Sequence, residues 1–332
     1  MLRRLFLAAT LTAGLTAGVS ARAAEIDTLL PSETESVVFV NVKQILTSAI
    51  VKKYALGQLK QMIESNEDAQ SMLKDLGIDP MKDIDRVTAG TWGKDKDDAK
   101  VVAIVRGTFD PAKLMATAEK KAKTDGDKVA VVAEGKYKLV KFTNEKSPKP
   151  FYASAADETT LVASSDKKLL VAVLDAAAEK SKPAVKKELA KLLLTMDEKA
   201  SMYVCGVVPE GTKVEIPPNL NIPGVDGAKV AKQLEKLMNL SFTVRITDEV
   251  TVDGNAGMKD TDSADDFGET LSQLIGTVKG FLPLVTMQQP KLKTLADEVG
   301  KTLKSKVKDK DVTPGLKISA DSIDKAAGGG ND

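Results

Sequence analysis

Three carboxylates close together in the sequence, those of Asp79, Asp83 and Asp85, could form an acidic site in the segment LGIDPMKDIDRVTAG. A calcium loop needs oxygen ligands at alternate positions, a central glycine and a glutamate at the twelfth position. Counted from Asp79, this segment has proline and methionine at its second and third positions and glycine at its twelfth. The spacing therefore favours a joint between a helix that ends at Gly77 and a strand, with Asp79 capping one turn.

A second acidic cluster, in the sequence KDTDSADDFGE, precedes a predicted long helix. Its side chains could gather a hard cation, but the segment lacks the central glycine of a calcium loop. Acidic residues are also favoured in the first turn of a helix, where they meet the positive end of the helix dipole. The pattern favours a helix cap, with a cation site as the alternative. The members of this cluster are Asp260, Asp262, Asp265, Asp266 and Glu269.

The sequence contains no histidine, which excludes Ser-His-Asp and Cys-His catalysis and His-ligated metals. Cys205 is the single cysteine, so an intramolecular disulfide is impossible, and its alternation with Tyr203 in a predicted strand favours a buried apolar role over an activated thiolate. The segment GTWGKDK at 90–96 lacks the spacing of a phosphate-binding loop. Its Trp92 is predicted to lie in the core, with an exposed contact as the alternative. We therefore predict no catalytic, cofactor-binding or metal-binding residues and no cofactor.

The first 23 residues have the three parts of a cleavable signal peptide. Arg3 and Arg4 form a positive region, an uncharged stretch follows, and Ala21-Arg22-Ala23 fits the small-x-small pattern before a cut. The uncharged stretch is shorter than the roughly 20 apolar residues of a membrane span. The sequence thus predicts export and a periplasmic or secreted protein that begins at Ala24.

The charge balance of the mature chain argues against nucleic acid as a partner. Loss of the leader removes three arginines and leaves 45 basic against 47 acidic residues, a net charge of −2. A domain that binds a phosphate backbone normally carries a basic excess. Only three arginines remain, and arginine is the usual bidentate reader of phosphate and carboxylate groups. They are Arg86, Arg106 and Arg245.

Two further stretches bear on membranes and anionic partners. The best later candidate for a membrane span, Leu274 to Val285, is short and holds Lys279 and Pro283, so we predict no span after the leader. Near the end of the chain, five lysines are predicted to lie along the end of a helix and to face solvent, with binding of an anionic polymer or lipid head groups as the alternative. These are Lys301, Lys304, Lys306, Lys308 and Lys310.

The mature chain alternates predicted strands and helices in two halves of similar order. Each half runs through a strand, a helix, two antiparallel strands, an Asp-capped helix, further strand and a closing helical segment. This order predicts an α+β fold of two similar units related by internal duplication, each an antiparallel sheet with helices packed on one face. The predicted bounds are 24–180 for the first unit, 181–199 for a connecting helix, 200–326 for the second unit and 327–332 for a disordered tail.

Three stretches of the mature chain carry a resemblance to a known group of proteins: LLPSETESVVFVNV at 29–42, LGIDPMKDIDRVTAG at 76–90 and TTLVASSDKKLLVAVLDAA at 159–177. They resemble exported bacterial proteins of unknown function, common in planctomycete-like genomes, with a Leu-Pro opening and an LGIDP joint. The resemblance implies an exported protein with this type of fold, and it implies no catalytic residues.

Together these observations predict an exported, non-catalytic protein that binds or assembles in the cell envelope, with another envelope protein or with itself as the partner. The first alternative is a carboxylate-based hydrolase such as a glycosidase, which needs two acidic groups and no histidine. The second alternative is a self-associating envelope scaffold, for which a large apolar or edge-strand surface is expected.

Overall fold

The chain forms a mixed α+β fold in a computed structural model, which describes residues 25–65, 73, 77–93, 99–144, 147–209, 211–212 and 226–328. Runs rich in β-branched residues form the strands, as in SVVFV and KVVAIVRG. The strands are β1 (Ser36–Val40), β2 (Ile84–Trp92), β3 (Lys100–Gly107), β4 (Val129–Glu134), β5 (Tyr137–Asn144), β6 (Ser147–Asp157), β7 (Thr160–Ser164), β8 (Met202–Val207), β9 (Leu237–Ile246), β10 (Glu249–Met258), β11 (Lys304–Lys308) and β12 (Asp311–Ser319).

The helices begin largely where a polar side chain caps them. Four of the helices start after an aspartate whose carboxylate accepts N–H groups of the first turn. The helices are α1 (Val42–Thr47), α2 (Leu56–Ser65), α3 (Pro111–Thr124), α4 (Lys167–Ala178), α5 (Lys187–Leu193), α6 (Gly227–Leu234), α7 (Thr261–Gln288), α8 (Lys293–Thr302) and α9 (Ala320–Ala327). The capping aspartates are Asp110 of α3, Asp166 of α4, Asp226 of α6 and Asp260 of α7.

All of these strands belong to one antiparallel sheet, in the order β11-β12-β10-β9-β8-β1-β2-β3-β7-β6-β5-β4. The predicted pair of separate sheets is therefore wrong. The sheet is continuous because β1 pairs with β2 along one edge and with β8 along the other, where Val38 lies opposite Val204. The Ser201 hydroxyl supports this junction by donating to the Gln44 side chain at 2.6 Å and accepting from the Ile246 N–H at 2.8 Å.

The two faces of the sheet can be distinguished by the side chains of β8, because residues that pair directly across strands share a face. We call the face that carries Tyr203 and Cys205 face 1 and the opposite face, which carries Val204, face 2. The larger core lies on face 1, where α4 and α5 cover Val37 and Ile104. The smaller core lies on face 2. It contains Leu237, Ala256, Met258, Ala264 of α7 and Val312.

Two predicted elements have different bounds in the structure. The connecting helix is shorter than predicted and spans only Lys187–Leu193, where Leu189 and Leu193 are buried against the larger core. The lysine-rich segment predicted as a helix end instead forms β11 and a hairpin turn, because Ser305 and Val307 alternate with lysines at the period of a strand.

The C-terminal part of the chain contains a helix that reaches the start of the predicted tail at 327–332. Helix α9 extends to Ala327, and Gly328 follows in the left-handed conformation that often ends a helix. The remainder of the predicted tail lies outside the described residues. None of the helices in the described ranges combines the length and the hydropathy that crossing a bilayer requires.

Candidate functional site

A cavity of about 260 Å³ lies on face 1, beneath the N-terminal segment. Its side chains come from the segment 25–30, from strands β1, β2, β3 and β8, and from the chain around α5. Because these segments are far apart in the sequence, the cavity depends on the complete sheet. The lining residues are Glu25, Ile26, Asp27, Thr28, Leu30, Phe39, Arg86, Thr88, Arg106, Leu193, Glu198 and Tyr203.

Two of the three arginines that follow residue 23 line this cavity side by side. Arg86 on β2 pairs directly with Arg106 on β3, so both side chains leave the sheet on face 1. Like charges that face each other across two strands destabilise a sheet unless counter-charges are near. Arg86 is exposed at the cavity, whereas the side chain of Arg106 is only 26% exposed.

Asp27 supplies the counter-charge for Arg106. Its side chain is 8% exposed, and its Oδ1 accepts hydrogen bonds from Nη2 of Arg106 and from the N–H of Leu29. Nη1 of Arg106 donates to the hydroxyl of Thr160 at 3.0 Å. Nε of Arg106 is buried and has no hydrogen-bond partner among the described residues. The guanidinium is thus held in place by Asp27 and Thr160, and its Nε is enclosed by the protein.

Aromatic side chains form the apolar part of the cavity. The rings of Phe39 and Tyr203 stack with their centroids 4.7 Å apart and their planes 14° apart. Thr88, which pairs with Phe39 on the neighbouring strand, is buried beside them. Burial raises the pKa of the Tyr203 phenol well above its ordinary value, so this side chain is a neutral hydrogen-bonding group at physiological pH.

The third arginine is engaged away from the cavity lining. Nε of Arg245 donates to Asp197 at 2.7 Å, and its Nη1 donates to Asp253 at the same distance. Two carboxylates thus hold this guanidinium. Arg245 therefore joins the segment after α5 to the hairpin of β9 and β10.

The first acidic segment forms a joint between helix and strand, and each of its carboxylates has a partner within the fold. Gly77 takes a positive φ of 68°, and Asp79 accepts from the N–H of Met81 while pairing with Lys82. The N–H of Asp79 donates to the Asp83 carboxylate at 2.7 Å. Asp85 pairs with Lys43 at 3.0 Å, so the three carboxylates point to separate partners.

The second acidic cluster is a helix start, as the favoured interpretation predicts. The carboxylate of Asp260 accepts from both the N–H and the hydroxyl of Ser263. The Ser263 hydroxyl, followed by its N–H, holds the pKa of Asp260 below its ordinary value. In the part of the chain that the structure describes, no group of three or more Cys, Asp or Glu side chains is arranged to hold a metal ion.

Cys205 and Trp92 both contribute to the larger core. Cys205 is fully buried, and burial raises the pKa of its thiol to about 12, which confirms its apolar role. Trp92 is partly buried against the same core. Of the segment GTWGKDK at 90–96, which was compared with a phosphate-binding loop, residues 94–96 lie outside the described residues.

Face 2 of the central sheet exposes apolar side chains. Val38, Leu240 and Phe242 are each exposed by more than a third on β1 and β9. They share one face, because Val38 pairs with Val204 and Val204 pairs with Phe242. Contiguous apolar surface of this kind marks interaction sites more often than isolated exposed residues do.

The sequence contained one signal for the cavity that residue spacing alone did not reveal. Arg86 and Arg106 stand in the β-branched runs RVTAGTW and KVVAIVRG, and they are two of only three arginines after residue 23. That scarcity argued against anion recognition, whereas the register of β2 and β3 brings both side chains together. Comparison with known proteins finds no matching family model, no similar curated protein and no similar solved structure.

Proposed function

We propose that this chain is an exported, non-catalytic binding protein of the cell envelope, and that the cavity on face 1 is its ligand site. The observation that carries the proposal is the pair of arginines, one exposed and one held by Asp27, in a single cavity. The Arg86 guanidinium is exposed, so its N–H groups can donate to a ligand acceptor. A single guanidinium can bind a carboxylate with two parallel hydrogen bonds.

The charges around the arginines narrow the ligand class. The carboxylates of Glu25 and Glu198 line the same cavity, and they would repel a plain dianion. A small zwitterion suits the lining better, because its carboxylate meets Arg86 and Arg106 while its ammonium group meets the acidic side chains. The cavity lies just below the usual volume range of about 300–1,000 Å³ for drug-sized ligands, which favours a molecule the size of an amino acid.

Calorimetric titration of the leaderless chain with the natural amino acids tests this proposal. At least one should bind, and Arg86→Gln should weaken its affinity by about 10- to 100-fold because a charge-assisted hydrogen-bond pair is lost. Lys43→Gln is the matched control, since Lys43 pairs with Asp85 and lies outside the cavity lining. Equal affinity of the Arg86 variant, or no binding of any amino acid, would reject the site.

The carboxylate-based hydrolase is the first alternative, and the same cavity bears on it because three carboxyl groups line it. A glycosidase also needs a general acid whose pKa is raised. Of these three carboxyl groups, that of Asp27 accepts hydrogen bonds from Arg106 and from the N–H of Leu29, so it holds the arginine in place. This arrangement favours binding over hydrolysis.

Self-association is the second alternative, and the exposed apolar side chains on face 2 favour it. Val38, Leu240 and Phe242 would be covered in a dimer that stacks this face against a second copy. Light scattering at high protein concentration tests the idea. A dimer that Phe242→Ser converts into a monomer would support the scaffold alternative, and a monomer at every concentration would count against it.

We also propose that the chain is exported through its leader and belongs with the planctomycete-like exported proteins that it resembles. The pattern Ala21-Arg22-Ala23 supports cleavage before Ala24. Mass spectrometry of the protein from an envelope fraction should find Ala24 at the N-terminus. A chain that keeps Met1 in the cytoplasmic fraction would contradict the proposal.

Internal duplication remains our proposal for the origin of the fold. The strand order β1-β2-β3-β7-β6 on one side of the centre matches β8-β9-β10-β12-β11 on the other. The two series meet where β1 and β8 pair antiparallel. Homologues in which one of the two halves stands alone would support this origin.

A further inference from the structure

The second half of α7 presents a band of apolar side chains to solvent. Leu282 lies against Gly300 of α8 and marks the covered side of the helix. At about 100° per residue, the uncovered apolar side chains before the last turn span about 120° of the helix surface. They are Val278, Phe281, Leu284 and Val285, and Met287, in the last turn, is 78% exposed.

This band continues a stripe that begins in the smaller core. Phe267 and Leu271, in the first half of α7, pack against Ala256 and Val312 of the sheet. The same spacing of three and four residues then continues through Leu274, Val278, Phe281 and Val285. The helix thus keeps its apolar stripe after the contacts with the core have ended. The exposed half of this stripe packs on no buried core of the described residues, so a partner surface could cover it.

Charge divides α7 in the same way. Its acidic residues all precede position 270, and the 27 residues from 270 to 296 contain no Asp or Glu. That stretch holds Lys279, Lys291 and Lys293, of which the last two are exposed. No described carboxylate forms an ion pair with these lysines. The apolar end of the helix is therefore also its basic end.

We propose that the second half of α7, with the turn that follows it, docks on an anionic lipid surface. Helices that lie in a membrane interface combine an exposed apolar face with lysines. Their affinity grows with the apolar area that they bury and with the attraction of lysines to anionic head groups. A second copy of the chain fits less well, because a symmetric contact would bring the lysines of both copies together without any acidic partner.

Co-sedimentation with lipid vesicles tests this inference, and the leaderless full chain is the protein to use. We expect binding to vesicles of equal parts phosphatidylglycerol and phosphatidylcholine, and little binding to phosphatidylcholine alone. The double variant Lys291→Gln and Lys293→Gln should reduce the partition coefficient by about thirtyfold, since each lysine near a surface contributes about 1 kcal/mol. Raising the salt concentration should weaken binding in the same direction.

Two leucines allow a matched test of the apolar band. Leu284 and Leu194 are both 53% exposed, but only Leu284 lies on α7. Leu284→Ser should weaken vesicle binding, whereas Leu194→Ser should leave it unchanged, and circular dichroism checks that both variants are folded. The inference is overturned if the chain fails to bind anionic vesicles or if both serine variants bind them like the parent. It is also overturned if the chain is a dimer in the absence of lipid and Leu284→Ser dissociates that dimer.

Discussion

Arg86 and Arg106 lie directly opposite each other on neighbouring strands, and a single carboxylate, that of Asp27, holds Arg106 in place. Asp27 belongs to the segment that precedes the first strand, so the electrostatic balance of the sheet depends on a part of the chain that adds no strand to it. The same three side chains line the cavity. Their balance can therefore be tested by stability as well as by ligand binding.

Asp27→Asn should lower the free energy of unfolding by about 2 kcal/mol, because the half-buried guanidinium of Arg106 would lose its counter-charge. Adding Arg86→Gln to this variant should recover about 0.5–1 kcal/mol, since the opposing like charge is then removed. Urea unfolding of the four proteins in this double-mutant cycle measures both effects. If Arg86→Gln recovers no stability in the Asp27→Asn background, Arg86 and Arg106 do not repel each other measurably.

Asp166 should make the stability of the chain depend on pH. The N–H of Leu169 and the ammonium group of Lys100 hold the pKa of this carboxyl below its ordinary value, against the opposing effect of burial. A lowered folded-state pKa stabilises the protein above the ordinary value of about 3.9, and this contribution disappears as the pH falls through the folded-state pKa.

Asp166→Asn should therefore cost about 0.5 kcal/mol at neutral pH and progressively less as the pH falls below about 3.9, because asparagine keeps the capping oxygen but not the charge. Asp166→Ala should cost about 1 kcal/mol more at either pH, because the cap itself is lost. Unfolding curves at about pH 7 and about pH 3 compare the three proteins. An equal difference between parent and Asn variant at both values would rule out the ionised carboxylate as the source.

Gly107 should tolerate no side chain. A Cβ atom at this position would lie 1.9 Å from the backbone oxygen of Asp83, in the joint between helix and strand, and a backbone atom cannot rotate away. Gly107→Ala should therefore lower the free energy of unfolding by about 3 kcal/mol. Gly276→Ala is the control, because a Cβ there meets nothing within 4 Å and alanine favours a helix by about 1 kcal/mol. A tolerated Gly107→Ala would show that the joint can move.

Cys205 should not react with thiol reagents in the folded protein. Cys205 is fully buried, so the reagent cannot reach its sulfur, and burial raises its thiol pKa to about 12, so the reactive thiolate is scarce. Absorbance with an aromatic disulfide reagent should show no reaction in buffer and one thiol per chain in denaturant. Val307→Cys places a thiol at an exposed position as a positive control. Rapid labelling of the parent chain in buffer would contradict the buried site.

Local sequence signals account for single elements of this fold. Strand β3 coincides with a β-branched run and helix α4 follows an aspartate cap, because both signals act over a few residues. The lysine-rich segment near residue 305 is a strand, whereas the sequence predicts the end of a helix there. The alternation of Ser305 and Val307 with lysines is too short to indicate a strand by itself. Contacts with β12, which decide in favour of a strand there, are not visible in the local sequence.

The candidate site could not be predicted from spacing, because its members are brought together by register. Asp27, Arg86, Arg106 and Tyr203 come from four separate segments, and a shift of one residue in β2 would turn Arg86 to the other face. The pairing of β1 with β8 is equally remote in sequence. Each strand has an edge that could pair with several others, and only the assembled sheet decides which pair forms.

The pairing of β1 with β8 also has a consequence during translation, because β8 is made long after β1. The ribosome completes β1 at Val40 and reaches Val207 only after roughly 10 to 30 s at about 5–20 residues per second. During that interval one edge of β1 is bare, and a bare edge can pair with another nascent chain. This edge of β1 is closed only when both halves of the chain have been made and β8 pairs with it. The order in which the strands are made thus differs from the order in which the sheet uses them.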